Sequence, residues 1–273
     1  MTEHDRTILL TGATAGLGEQ ITRELSGRPG HLILHGRNPD KLAGLRAELS
    51  GSAARIDTVT ADLSELAQVH ALADQVAGLT DHLTVLVNNA GIGQGRGADR
   101  ELSPDGLELR LAVNHLAPFA LSRRLLPLLR RGAPARIVNV ASAAQTEIDL
   151  DDIQLTRGYS GSRAYAQSKL AMITTGFVLA EQLDPAEVTV NSLHPATLMP
   201  TAMVREGWGR SIDELATGVA ATRRLIESPE LAGVTGRYFN GQREAEALSQ
   251  AYEPDFRRRL WELSGQLSGI DSQ

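Results

Sequence analysis

Short apolar runs alternate with longer amphipathic stretches along almost the whole chain, and that alternation narrows the fold more than any other feature. The runs are Thr7–Leu10, His31–Leu34, Arg55–Val59, Leu83–Val87, Arg136–Val140, Val188–Leu193 and Arg237–Phe239. Several carry Val, Ile and Leu with no polar alternation, as expected of strands buried on both faces. Between them lie helix-length segments with apolar residues three and four apart, such as Leu42, Leu45 and Leu49. Such a succession predicts a parallel sheet with helices on both faces. No Pro/Ser-rich linker, long charge run or internal repeat divides the 273 residues. The expectation is therefore an α/β fold in a single doubly wound domain spanning 1–273, with a parallel seven-stranded sheet.

Composition removes several functions. Lys+Arg 27 against Asp+Glu 33 gives a net charge of −6, without the basic excess of a nucleic-acid binder. The absence of cysteine excludes disulfides, thiolate metal sites, iron–sulfur clusters and cysteine nucleophiles, and no metal site is expected. Met1–Arg6 is too polar for a secretory signal. No apolar stretch approaches the roughly 20 residues that cross a bilayer; Leu121-Ser-Arg-Arg-Leu-Leu-Pro127 is broken by arginines. These features predict a cytoplasmic protein with neither a nucleic-acid nor a membrane partner. Only Lys41 and Lys169 are lysines, so either one stands out in a chain that writes its positive charge as arginine.

After the first apolar run comes Thr11-Gly-Ala-Thr-Ala-Gly-Leu-Gly18, and a helix opens within it. Glycine allows a tight turn and a close approach that a Cβ would block. The helix N-terminus then offers uncapped N–H groups and a partial positive charge to a pyrophosphate. A plain tight turn would read the same way, so the rest of the sequence must decide.

Further motifs follow in a fixed order: Asp62-Leu63 after the third run, Asn88-Asn-Ala-Gly91 after the fourth, Asn114 in Val113-Asn114-His115, Ser142 after the fifth, Tyr165-Ala-Gln-Ser-Lys169, and Leu193-His-Pro-Ala196 after the sixth. With Gly12, Gly16 and Gly18 they make the chain resemble the short-chain dehydrogenase/reductase family over about residues 6 to 241. The wording His115-Leu-Ala-Pro-Phe119 and Ser168-Lys169-Leu170 looks most like its retinol-dehydrogenase-like branch. The resemblance implies a Rossmann domain and hydride transfer between a nicotinamide and an alcohol/carbonyl pair. It implies a catalytic set of Asn114, Ser142, Tyr165 and Lys169. It places the dinucleotide against Gly12, Thr14, Gly16, Leu17 and Gly18, then Asp62 and Leu63 on the adenine side. Asn89, Ala90, Gly91 and Pro195 would complete the site, with Lys169 and Tyr165 beside the nicotinamide ribose. Asn88 is expected to be mainly structural. His115 and His194 lie outside the catalytic set and are expected to be packed or solvent-facing. Pro195-Ala196 replaces the family's usual Pro-Gly pair.

The residue types suit the chemistry. Positions i and i+4 share a helix face, so Tyr165 and Lys169 can reach one spot. A phenol with a pKa of about 10 is a poor acid–base catalyst at neutral pH, and a nearby ammonium is expected to lower it. Ser142 at a strand's carboxyl end can hydrogen-bond a substrate oxygen. The plain alternatives are a loop serine, an Asn114 that caps the next helix, and an Asp62 that caps the helix after it.

The second run ends His35-Gly36-Arg37-Asn38-Pro39, and no acid occurs from Pro29 to Pro39. Dinucleotide folds of this kind use an acid about 20 residues past the glycine turn for the NAD ribose, or an Arg for the 2′-phosphate of NADP. Gly36 stands where the acid would be and Arg37 follows, so NADP(H) is expected over NAD(H), with Arg37 and Asn38 at the cofactor. Arg37 as a solvated surface residue is the alternative.

Residues 143–164 read as an insertion over the substrate pocket or as a solvated loop. Residues 198–228 read as a substrate-side helical lid whose Leu198, Met199, Met203 and Trp208 point to an apolar carbonyl or alcohol substrate. About 252–273 reads as a surface helix and tail. The family often forms a homodimer or tetramer through the helices after Asn114 and Tyr165, so a homo-oligomer is expected. A non-catalytic dinucleotide-binding sensor on the same fold is the competing function.

Overall fold

A computed structural model describes residues 6–95, 97, 99–207 and 209–270. Its centre is a sheet of eight strands in the order β3-β2-β1-β4-β5-β6-β7-β8. The first seven are β1 (Thr7–Leu10), β2 (Gly30–Gly36), β3 (Ala54–Thr60), β4 (Val85–Asn88), β5 (Ala135–Val140), β6 (Val188–His194) and β7 (Arg237–Asn240), and they pair in parallel. They match the seven apolar runs. An eighth strand, β8 (Arg243–Ala245), adds to β7 in antiparallel fashion. Its Arg243 and Glu244 are exposed, and a polar edge strand carries no apolar signature in the sequence.

The helices are α1 (Gly16–Ser26), α2 (Pro39–Glu48), α3 (Leu66–Leu79), a turn α4 (Leu109–Leu111), α5 (Ala117–Arg124), α6 (Leu126–Arg131), α7 (Gly161–Glu181), α8 (Ala202–Gly207), α9 (Leu215–Glu227) and α10 (Pro254–Ser268). Successive strand residues alternate between faces. Leu9, Ile33 and Leu86 join the core under α3, α5 and α6, while Ile8, Leu10, Leu32 and Leu34 join the one under α1, α2 and α9. A third cluster packs α7 against α10 through Leu170, Ile173, Phe256 and Leu260. Both sheet faces are therefore dry, which explains the unbroken apolar runs.

Two consequences bear on the site. The order reverses between β1 and β4: the chain moves outward from β1 to β2 and β3, then returns to β4 on the other side. A crevice opens at the carboxyl ends of strands that diverge in this way. Second, α10 lies along α5 and α7. Trp261 meets Phe119 edge-on at 4.9 Å, with the Arg123 guanidinium 4.9 Å from the indole centroid. His115 bonds through Nε2 to Ser264 Oγ at 2.7 Å. The helices expected to join subunits thus carry a helix of their own chain.

Candidate active site

The glycine turn and the turn after β4 face each other across the crevice. Gly12 and Gly16 adopt φ of +68° and +54°, the left-handed region that glycine enters without steric cost. Asn89 spans the gap: its Nδ2 donates to the carbonyls of Thr11 (2.8 Å) and Gly12 (3.2 Å). Thr11 Oγ1 in return accepts the N–H of Asn89 and of Ala90, both at 3.0 Å. Ala15 precedes α1 and provides no side-chain cap, so the first N–H groups of α1 stand as backbone donors at the crevice. That donor set fits a pyrophosphate. Gly18 is packed hardest, since a Cβ there would lie 2.1 Å from the Gly12 carbonyl oxygen. Alanine gains about 1 kcal/mol over glycine in a helix, but overpacking costs about 1–3 kcal/mol, and a backbone atom cannot swing aside. Gly18→Ala should therefore lower stability in urea and weaken dinucleotide binding together; a more stable variant with unchanged binding would show that the turn has room.

Where the adenine is expected, Gly36 ends β2 in a tight place, with a Cβ there lying 3.1 Å from Thr14 Cγ2. Arg37 follows and is exposed. Asn38 caps α2, its Oδ1 accepting the Lys41 N–H at 3.0 Å, with Pro39 in the first turn. Asp62 serves a local turn, accepting the Ser64 N–H at 2.9 Å. The residue that precedes α3 is Glu65, so Asp62 is not that helix's cap. Leu63 is buried beside it and Pro195 is buried just beyond β6.

The second half of the site gathers on α7. Ser160 caps this helix by accepting the Arg163 N–H at 3.2 Å, which fixes Tyr165 and Lys169 one turn apart. The Ser142 hydroxyl lies near enough to the Tyr165 phenol to favour its ionised form. Lys169 Nζ donates to the Val140 carbonyl at 2.9 Å and lies 5.8 Å from the Tyr165 ring centroid. Burial pushes its pKa down to about 8. Burial pushes the Tyr165 phenol up, opposed by Ser142. The phenol is thus raised in the free protein, where a lowering was expected, because loss of water around the phenolate outweighs the influence of Ser142.

Asn114 is fully buried and sits in a π-helical turn, Ala112–Leu116, between α4 and α5. It is no helix cap. Its side chain clamps Ile92, accepting the N–H at 2.8 Å and donating to the carbonyl at 3.0 Å, and it donates to Ser168 Oγ at 3.1 Å. Ser168 Oγ donates to the Tyr165 carbonyl at 2.7 Å. A Cβ on Gly91 would lie 3.1 Å from Asn114 Oδ1 and 3.4 Å from Lys169 Nζ, so both side chains converge on that glycine. Asn88 donates to Ser122 Oγ (3.0 Å) and Asn139 Oδ1 (2.9 Å), ties across the sheet that match its structural reading. Burial lowers the His115 pKa to about 3, and it lowers that of His194, which bonds to Thr197 Oγ1 at 3.2 Å. Both histidines are packed.

The 143–164 segment is anchored. Ile148, Ile153 and Leu155 are buried, and Gln250 pairs with the N–H and carbonyl of Ile148 at 2.8 and 3.0 Å. Asp152 accepts the Thr156 N–H at 2.7 Å, so this acid holds its own turn. Sequence reasoning missed the group beside it. Arg110 and Glu108, both buried, approach to 3.5 Å. Arg110 also donates to Tyr159 Oη (3.0 Å) and to the carbonyls of Gly93 and Gln94 (3.2 Å each). It thereby ties the strand-end loop to the start of α7. Two opposite charges inside the apolar stretch Leu107-Glu-Leu-Arg-Leu111 were the available signal. Met203 of α8 closes on Gly93, whose Cβ would lie 2.8 Å from Met203 Cγ. Met199 is buried near Gly218. Trp208 lies outside the described residues.

The sequence profile of the short chain dehydrogenases matches residues 6–208. The chain belongs to the short-chain dehydrogenase family. Human retinol dehydrogenase 13 is 31% identical over 286 residues, covering 98% of this chain and 86% of that protein. Human retinol dehydrogenase 14 is 33% identical, covering 98% and 87%, and both relatives support the retinol-dehydrogenase-like branch. Mouse polyprenol dehydrogenase is 33% identical, covering 97% and 84%. Among solved structures, an uncharacterised protein from Mycobacterium paratuberculosis superposes with a TM-score of 0.75 at 26% identity, covering 98% of this chain and 95% of the other. The Pseudomonas aeruginosa RhlG/NADP active-site complex gives 0.71 at 26% identity, covering 88% and 97%. This short-chain dehydrogenase is accordingly a nicotinamide-dependent oxidoreductase of the CH–OH/C=O class. Among the described residues no helix is long and apolar enough to cross a membrane.

Proposed function

We propose that this short-chain dehydrogenase is an NADP(H)-dependent oxidoreductase in which Tyr165 moves the proton that accompanies hydride transfer. The observation that carries the reading is the Tyr165 phenol close to the Ser142 hydroxyl, with Lys169 beside its ring, next to the crevice between β1 and β4. The nicotinamide supplies or accepts the hydride when bound. Ser142 holds the substrate oxygen by a hydrogen bond. Tyr165 gives that oxygen its proton in reduction and takes it back in oxidation. Lys169 holds the ribose hydroxyls, and its charge favours the phenolate that oxidation requires. Asn114 acts from behind: its bonds to Ile92 and Ser168 hold α7 against the turn after β4.

The absence of an acid at Gly36 and the exposed Arg37 beside the α2 N-terminus support NADP(H), and the RhlG complex contains NADP. We read the chain as one dinucleotide-binding and catalytic domain in which 198–228 forms the lid on the substrate side. Its methionines, with the names of the retinol and polyprenol relatives, support an apolar alcohol or carbonyl substrate. A panel of long-chain and cyclic alcohols and their carbonyls, followed by nicotinamide absorbance with each cofactor, tests this. Turnover with NADP(H) is expected; tight dinucleotide binding with no turnover on any member would favour the sensor.

The coverage of α5 and α7 by α10 also changes the expected assembly. A homodimer or tetramer through those helices would have to displace Phe256, Leu260 and Trp261, each buried and worth about 1.5–3 kcal/mol. Light scattering should give a monomer of 29.3 kDa; a stable dimer would mean that subunits meet on another face or that α10 is displaced.

A further inference from the structure

We infer that His35 is a positioning residue for the cofactor site, its imidazole setting the spacing between the glycine turn and the adenine-side end of β3. This rests on the proposed placement of the dinucleotide across the ends of β1, β2 and β3.

His35 is the penultimate residue of β2, the strand between β1 and β3, and is 2% exposed. Its main-chain carbonyl accepts the Ala13 N–H at 2.9 Å. Its side chain reaches both neighbours at once: Nδ1 lies 3.3 Å from the Gly12 nitrogen, and Nε2 lies 3.1 Å from the Ala61 carbonyl oxygen. A carbonyl oxygen can only accept, so Nε2 carries the proton and Nδ1 presents its lone pair to the Gly12 N–H. One neutral tautomer satisfies both bonds, and protonation would remove the acceptor. Burial pushes the His35 pKa down to about 4, against an upward pull from the Ala61 carbonyl and the Asp62 charge. The neutral ring is therefore the form present at neutral pH.

The consequence is geometric. His35 takes up two successive N–H groups of the turn, Gly12 and Ala13, and leaves the N–H groups of the first turn of α1 directed to the crevice. Its other end pins the carbonyl that immediately precedes Asp62 and Leu63. The two walls of the adenosine half-site are thus tied through one ring. An apolar residue of similar size would fill the space but strand a buried donor and a buried acceptor, which the chain can relieve only by shifting one wall.

The experiment compares His35→Leu, His35→Asn and His35→Gln in the full chain by NADPH fluorescence titration, with urea denaturation alongside. The amide oxygen of Asn can accept from Gly12, and the amide N–H of Gln can donate to Ala61, so each conserves one bond. His35→Leu should weaken NADPH binding about tenfold, and each amide variant should recover part of it, as expected for one misplaced hydrogen bond. Nitrogen NMR of the wild type should show Nδ1 unprotonated and Nε2 protonated at neutral pH; this reading stands even if His35→Leu fails to fold. Affinity within threefold of wild type for all three variants, or a protonated Nδ1 at neutral pH, would overturn the proposal. Poor NADPH binding by the wild type would count against the cofactor preference instead, and the same comparison then runs with NADH.

Discussion

Tyr165→Phe is expected to cut kcat by at least ~100-fold while leaving the fold and NADPH affinity near wild type, because general acid–base catalysis typically contributes 10²–10⁴-fold. The substitution removes one hydroxyl and keeps the ring, which is packed with only 8% of its surface exposed. Ser142 Oγ still accepts the Ala144 N–H at 3.1 Å, so its hydroxyl keeps a partner. The upward push on the phenol also fixes a sign. In the free protein Tyr165 is protonated at neutral pH, the form needed to give a proton to a carbonyl oxygen; oxidation needs the phenolate and should gain as pH rises. Steady-state kinetics checks the loss, and near wild-type turnover by the Phe variant would remove Tyr165 from its role.

Arg37→Ala is expected to raise the Michaelis constant for NADP(H) by one to two powers of ten, while that for NAD(H) changes little. On the proposed NADP(H) reading the substitution removes a charge-assisted contact to the 2′-phosphate, worth roughly 1.5–3 kcal/mol. The position of Arg37 is compatible with the proposed role. It is exposed at the end of β2 and stands just before a helix whose Asn38 cap and Pro39 fix its direction. Asp40 lies inside the first turn of α2, past the point where the chain leaves the sheet. Equal use of both cofactors by the wild type would show that Arg37 does not select.

The parallel strands and the turns at their ends were readable because they answer to local rules. A strand dry on both faces must be apolar throughout, and a turn as close as that at Gly18 must be glycine. What escaped depends on contacts distant in sequence. The π-turn at Asn114 exists with the backbone of Ile92 clamped to its side chain. The phenol pKa direction depends on how thoroughly α7 buries Tyr165, whereas residue spacing showed only that an ammonium was near. The C-terminal stretch was legible as a surface helix, but not that it packs on α5 and α7. Glu108 and Arg110 were visible as charges among leucines; their link to Tyr159 and to the Gly93 and Gln94 carbonyls was not.

Hydride transfer itself is tested most directly by isotope. The best substrate from the carbonyl panel is incubated with wild-type enzyme and NADPH deuterated at the transferable position of the nicotinamide, and the product is read by mass spectrometry. One deuterium on the former carbonyl carbon is expected, with almost none formed by Tyr165→Phe in the same time. Product that carries no deuterium, or equal labelling by the Phe variant, would contradict hydride transfer assisted by Tyr165.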